Sequence, residues 1–328
     1  MRRNIYSFLI VAGFVLALGS CSADITTGET TSEAGNIPYS KIGINAFPRN
    51  LTAGNAAGQM NDIKSLGINY IRINLWFDNF YMASAGSNPS FVKFDQAISA
   101  AESAGLDILA ILHPIPTWLR GQGGWKSTYL NSYVKPVVSR YKGRVKSWEI
   151  WNEPDNVDSR FGVLDGSADN YFELLKETSA VIRNIDPSGV IVAASAMSIV
   201  LDGLSKLNWT KRLIDLGLAN YADILNIHYY SDLDVELGTV VKATVAQSGM
   251  RVWVTETGKK GHAGQLSYFS SIMPYINISL NPERIYLYCY VEGAIQNQTV
   301  PPDTTYGLLT MYGGVRSESS LYTHLKNR

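Results

Sequence analysis

The segment Ser147-Trp148-Glu149-Ile150-Trp151-Asn152-Glu153-Pro154 sets a carboxamide beside a carboxylate where proline cuts off an apolar, strand-like run. Proline cannot donate to a ladder, so the strand must stop there. A second carboxylate has a matching setting: Glu256 closes the run Arg251-Val252-Trp253-Val254-Thr255-Glu256 just ahead of Thr257-Gly258. In parallel α/β proteins, strand C-termini are where chemistry gathers. Two carboxyl groups from distant strand ends can divide acid–base and nucleophilic work, which is the division that glycosidic bond cleavage requires. Glu153 and Glu256 are therefore the candidate catalytic pair.

Other residues qualify by type and position. Arg72 is a charge inside the apolar run Tyr70-Ile71-Arg72-Ile73-Asn74. It is costly there unless paired, and a bidentate carboxylate partner would satisfy it and keep Glu256 anionic. His113 and His228 fall at strand ends, where they serve either as satisfied core histidines or as site residues. Trp76 ends the second strand, and Trp118 and Trp125 lie in a glycine-bearing loop over 114–127. Their rings suit either packing or stacking on the apolar face of a sugar. Alternation puts Glu149, Trp151 and Glu153 on one strand face. Glu149 then reads as a deep, hydrogen-bonded structural acid, and Asn152 faces away unless the strand end twists. The same rule groups Glu256 with Val252 and Val254.

Strand-like runs at 41–47, 70–77, 107–113, 145–152, 190–195, 224–230, 251–256 and 284–290 alternate with helical patterns. They are rich in Ile, Val and aromatics, as strands covered on both faces must be. Phe94, Ala97, Ile98 and Ala101 recur at helical spacing before Gly105. A helix is expected over 168–185, stopped by Asp186-Pro187, and a last one over 317–326. Eight such repeats predict an α/β fold, a single-domain (β/α)8 TIM barrel over 37–328. An open doubly wound sheet is the alternative, but no glycine-rich phosphate turn follows the first strand.

With both sites and the repeat in view, the chain resembles the clan A glycoside hydrolases, retaining (β/α)8 glycosidases, and families five and thirty-nine above all. Trp-Asn-Glu-Pro ending strand four and Thr-Glu-Thr-Gly ending strand seven carry the likeness, with Tyr306-Gly307-Leu308-Leu309 before the last helix. The resemblance implies Glu153 as acid/base, Glu256 as nucleophile and Asn152 on the sugar 2-hydroxyl. It matches Arg72 to the arginine that holds the nucleophile ionised, His113 to the strand-three histidine, and His228 and Tyr230 to the strand-six pair. It implies a polysaccharide or oligosaccharide substrate and no cofactor. One departure stands out: clan members often end strand eight with tryptophan, where this chain offers Tyr288 and Tyr290. A transglycosylase would use the same residues, and a sugar-binding surface lipoprotein with a degenerate barrel is the non-catalytic rival.

Composition sets the outer bounds. Lys plus Arg and Asp plus Glu both number 28, so there is no net charge and no basic footprint for nucleic acid. Nineteen Tyr and seven Trp supply rings for both core and sugar contacts. No metal-ligand spacing or disulfide framework is visible, since Cys21 and Cys289 are the only cysteines. The N-terminus reads as a targeting segment: Arg2 and Arg3 precede an apolar stretch over 5–18, too short for a comfortable span. Leu18-Gly19-Ser20-Cys21 resembles a bacterial lipobox, which implies a signal peptide over 1–20, lipidation of Cys21 and a membrane anchor in the cell envelope. An ordinary secretory signal is the alternative. Residues 21–36, rich in Ser, Thr and Gly, read as a flexible tether. Cys21→Ser should release the protein from the membrane fraction; a variant that stays membrane-bound, or a mature N-terminus beyond Cys21, refutes the anchor.

Overall fold

The computed structural model describes residues 37–157, 162–200, 204–232, 235–292 and 300–328. The signal segment, the tether and Cys21 lie outside the described residues. Eight strands, β1 (Ile42–Ala46), β2 (Tyr70–Asn74), β3 (Asp107–Leu112), β4 (Ser147–Ile150), β5 (Val190–Ala193), β6 (Ile224–Tyr229), β7 (Arg251–Thr257) and β8 (Arg284–Leu287), close into a parallel barrel in sequence order. Helices alternate with them, so the expected (β/α)8 barrel is the observed fold. The helix Val92–Ser103 buries Phe94, Ala97, Ile98 and Ala101 on the predicted face. The helix Ala168–Ile185 has the predicted bounds, and the Ser167 hydroxyl caps it by accepting the Asn170 amide.

The barrel interior is layered. Leu109, Val192, Ile224, Trp253 and Tyr286 form an apolar cluster apart from the main core. The Tyr286 ring needs the space beside β1: a Cβ on Gly43 would fall 2.5 Å from it. Only glycine accepts that ring without displacement. Above this floor, Asn45, Arg72, Glu149, Asn226 and Thr255 make a buried polar layer. Strand-end residues follow at the mouth.

The strands stop earlier than the apolar runs suggest. β2 ends at Asn74 and β4 at Ile150, so Trp76 and Asn152 belong to loops. The last helix is also shorter than expected. It spans Ser320–Lys326, capped by Ser319, while Ser317 lies in a hairpin of β9 (Leu309–Tyr312) and β10 (Val315–Glu318). Gly313 and Gly314, both at positive φ, turn that hairpin.

Candidate active site

Arg72 is the centre of the polar layer. Its Nε and Nη2 donate to the two oxygens of Glu149 at 2.7 and 2.8 Å. Nη1 donates to Glu256 at 2.5 Å and to the Asn45 carboxamide oxygen at 2.8 Å. Nη2 also donates to the Asn152 carboxamide oxygen at 2.7 Å. The bidentate partner of Arg72 is thus Glu149, with Glu256 held by a single nitrogen. Asn226 donates a further bond to Glu149 at 3.0 Å, so this acid is buried and satisfied, as expected for a structural carboxylate.

Strict alternation fails at both key strand ends, and that failure builds the site. In β7 the ladder with β6 pairs Ile227 with Val254 and then His228 with Glu256, so Thr255 is an extra residue. Val252 and Val254 belong to the main core shared with the helices, whereas Trp253 lies in the barrel floor. Alternation alone would turn Glu256 outward with the valines. The bulge lets Thr255 and Glu256 both face the interior, where Thr255 bonds Asn226. At the end of β4, Trp151 and Glu153 adopt positive φ, 74° and 45°. Trp151 leaves the face of Glu149 and packs among His113, Trp125 and Tyr129. Asn152 turns toward Arg72, which orients its amide. These left-handed residues are not glycine, a strain that neighbouring contacts must hold.

The carboxylates of Glu153 and Glu256 meet over His228. Glu153 Oε1 lies 3.1 Å from His228 Nδ1, and Glu256 Oε2 lies 3.8 Å from it. One oxygen from each acid and a ring nitrogen of His228 all fall within 4.8 Å of one another. Such a trio could ligate a cation, but Arg72 and the Tyr230 hydroxyl already hold the two oxygens of Glu256. His228 Nε2 contacts the Thr255 hydroxyl at 3.1 Å. Tyr230 donates to Glu256 at 2.8 Å. Burial acts most strongly on Glu256 and pushes its pKa up, but His228, Arg72 and the Tyr230 hydroxyl together bring it below the ordinary carboxylate value. Burial works against charge on His228, yet Glu256 and Glu153 outweigh it and raise its pKa. Burial likewise opposes the Arg72 charge, and its two glutamates reverse that.

Aromatics frame the mouth. Tyr288, at the end of strand eight, joins Tyr230 and Tyr306 in an edge-on cluster with ring centroids 5.3–6.2 Å apart. The Tyr288–Cys289 peptide is cis. Tyr290 turns away, and its hydroxyl bonds Asp62. Sequence reasoning missed Tyr306 as a site residue; the only signal was its place in the Tyr-Gly-Leu-Leu pattern. A cavity of about 300 Å³ adjoins this cluster, lined also by Asp232, Lys259, Lys260 and Tyr268. His113 meets Trp151 edge-on. Trp118 is half-buried, donating to the Met82 carbonyl at 2.9 Å and packing on Phe77. Trp125 is half-buried against Trp151 and Tyr129, and Trp76 lies under the Arg49 guanidinium at 5.1 Å.

A barrel of this topology with paired carboxylates at its mouth is that of a clan A glycoside hydrolase. Residues 33–281 match the model of Cellulase (glycosyl hydrolase family 5), and the chain belongs to that family. Solved structures agree on the fold. A family 39 glycoside hydrolase from the gut symbiont Bacteroides cellulosilyticus superposes with a TM-score of 0.62 at 16% identity, covering 88% of this chain and 63% of that one. The chain thus spans less than two thirds of that enzyme's length. An endo-1,4-beta-mannanase from Rhizomucor miehei gives 0.59 at 15% identity, covering 78% and 87%. A monomeric beta-xylosidase from Caulobacter crescentus gives 0.67 at 16%, covering 89% and 68%. No curated protein sequence matches the chain significantly.

The charge arrangement predicts a change of pH dependence when the guanidinium is removed. In the native protein, Glu256 contributes stability above the ordinary carboxylate pKa of 4.5, and this is lost as pH falls through its lower folded value. His228 contributes stability below 6.5, lost as pH rises through its raised value. Arg72→Met strands two buried carboxylates and should cost about 3–5 kcal/mol at neutral pH. Without the guanidinium, burial is left to push Glu256 up, so this variant should lose less stability than the native protein as pH falls through the carboxylate range. Denaturant unfolding at several pH values reads the slope; a parallel slope in the two proteins contradicts the assignment.

Proposed function

We propose that the protein is a retaining glycoside hydrolase that cuts polysaccharide chains internally by double displacement. The observation that carries this is the carboxylate spacing: oxygens of Glu153 and Glu256 within 4.8 Å. Retaining enzymes place the two carboxyl groups about 5–5.5 Å apart, and inverting enzymes, which fit a water between them, about 6.5–9.5 Å. Glu256, held ionised by Arg72, His228 and Tyr230, attacks the anomeric carbon and displaces the glycosidic oxygen. Glu153 gives its proton to that oxygen as the bond breaks. A water then loses a proton to Glu153 and attacks the glycosyl-enzyme, which frees Glu256 and returns the anomeric configuration to its starting form. Asn152, oriented by Arg72, meets the sugar 2-hydroxyl, and Tyr288, following β8, offers its ring at the mouth together with Tyr230 and Tyr306.

The substrate we infer is a polymer, bound along an open groove with Trp76, Trp118 and Trp125 among its lining. The segments after β7 (258–261) and β1 (47–52) are short, and the longer ones after β2, β3, β4 and β8 can build the sides of such a groove. Export and anchoring through Cys21 would place the enzyme in the cell envelope, facing such polymers.

Two measurements test the proposal. Glu256→Ala should lose nearly all activity, with azide restoring some as the glycosyl azide of inverted configuration; Glu153→Ala should retain activity on substrates with good leaving groups. Exchanged phenotypes would reverse the roles, and an inverted wild-type product by proton NMR would rule out double displacement. On a panel of β-glucans, mannans and xylans, chain length should fall before monosaccharide accumulates; early monosaccharide with chain length barely changed contradicts internal cleavage.

A further inference from the structure

The turn that carries Glu153 is held from outside the catalytic cluster. Asp155, two residues on, is buried, with its side chain 3% exposed. One of its oxygens accepts the Met197 amide at 2.9 Å, and the other pairs with Lys206 Nζ at 2.7 Å. Met197 sits in the segment 194–200 that follows β5. That segment also fastens β6: the Ser195 hydroxyl accepts the His228 amide at 2.7 Å, and the Ser198 hydroxyl accepts the Tyr230 amide at 2.9 Å. The Ile199 amide donates in turn to the His228 carbonyl at 2.9 Å.

These bonds occupy the place of a sheet seam. β5 and β6 share a single paired position, Val192 with Ile224, whereas β6 and β7 share six. Beyond Val192, side-chain hydroxyls do what a backbone ladder does elsewhere. The result is one strap with Asp155 at one end and the amides of His228 and Tyr230 at the other. Those two residues contact Glu153 and Glu256.

We propose that Asp155, acting through the 194–200 strap, is a positioning residue that sets where the Glu153 carboxyl stands relative to His228 and Glu256. Positive φ at Trp151 and Glu153 gives this turn a reason to relax, and Asp155 is the buried charge next to it that binds elsewhere in the barrel. Without its anchor, the turn is free to move the acid away from the leaving oxygen. A misplacement of about 1 Å costs on the order of 10²-fold in rate. The loss should fall on the step that needs acid assistance. This rests on Glu153 being the acid/base.

The experiment compares kcat/KM on dinitrophenyl and phenyl glycosides of whichever of cellobiose, mannobiose and xylose the wild type turns over. Asp155→Ala should lose about 10²-fold on the phenyl glycoside and far less on the dinitrophenyl one, which departs without a proton. Asp155→Asn keeps an acceptor for the Met197 amide and should recover most of the loss. Thermal melting is recorded beside the kinetics. Equal losses on both glycosides with a lowered Tm mark a merely structural role and overturn the proposal, as does an unchanged rate. Should Asp155→Ala not fold, Ser195→Ala reads the strap from its other end, with the same discrimination expected and the same equal loss overturning it. Glu153→Ala runs alongside. If it fails to discriminate between leaving groups, the acid/base reading falls and this proposal with it; if it discriminates while Asp155→Ala does not, the strap alone is refuted.

Discussion

The site depends on one buried guanidinium. Arg72 touches four side chains from three other strands and the β4 loop: Asn45, Glu149, Asn152 and Glu256. Its planar fork satisfies a bidentate and a single carboxylate contact at once, which an ammonium could not reproduce. Glu149 matches the arginine charge and costs the chemistry nothing, because it lies beneath the mouth. Glu256 can then lean on the same cation without becoming its only counter-ion. The two-to-one ratio of acid to arginine leaves a negative excess, and His228 is the group beside it whose proton affinity rises in response. The polar layer is therefore one electrostatic unit, in which a change at any member is felt by the others.

Much of this was legible in the chain. Eight apolar runs spaced by helical patterns suffice for the barrel, because a parallel sheet covered on both faces has little choice of composition. Proline after Asn152-Glu153 marked the region of one strand end, which falls earlier at Ile150, and an arginine among isoleucines demanded a carboxylate. What period-two reasoning could not deliver was the direction of Glu256 and Asn152. A bulge at Thr255 and left-handed backbone at Trp151 leave no compositional trace, since neither employs glycine. Alternation is a property of the ladder, and both residues stand where the ladder is interrupted.

The aromatic residues show a second limit. Trp118 and Trp125 in a glycine-bearing loop looked available for ligand, yet each spends part of its ring on Phe77, Trp151 or Tyr129. Tyr306 went the other way: it arrives from far along the chain to stand against Tyr230 and Tyr288. Contacts of that range are set by how a long β8-to-β9 connection folds back, and local pattern says nothing about it. Glu149 belongs with these. Its burial was foreseen, but its standing as the main partner of Arg72 required seeing that Glu256 takes only one nitrogen.

The apolar floor has a bearing on proton traffic. Leu109, Val192, Ile224, Trp253 and Tyr286 are at most 1% exposed, so they seal the polar layer from the far end of the barrel. In the proposed two-step reaction the proton given to the first product is the one the water brings back, and an apolar floor leaves that exchange to the mouth side of the cluster.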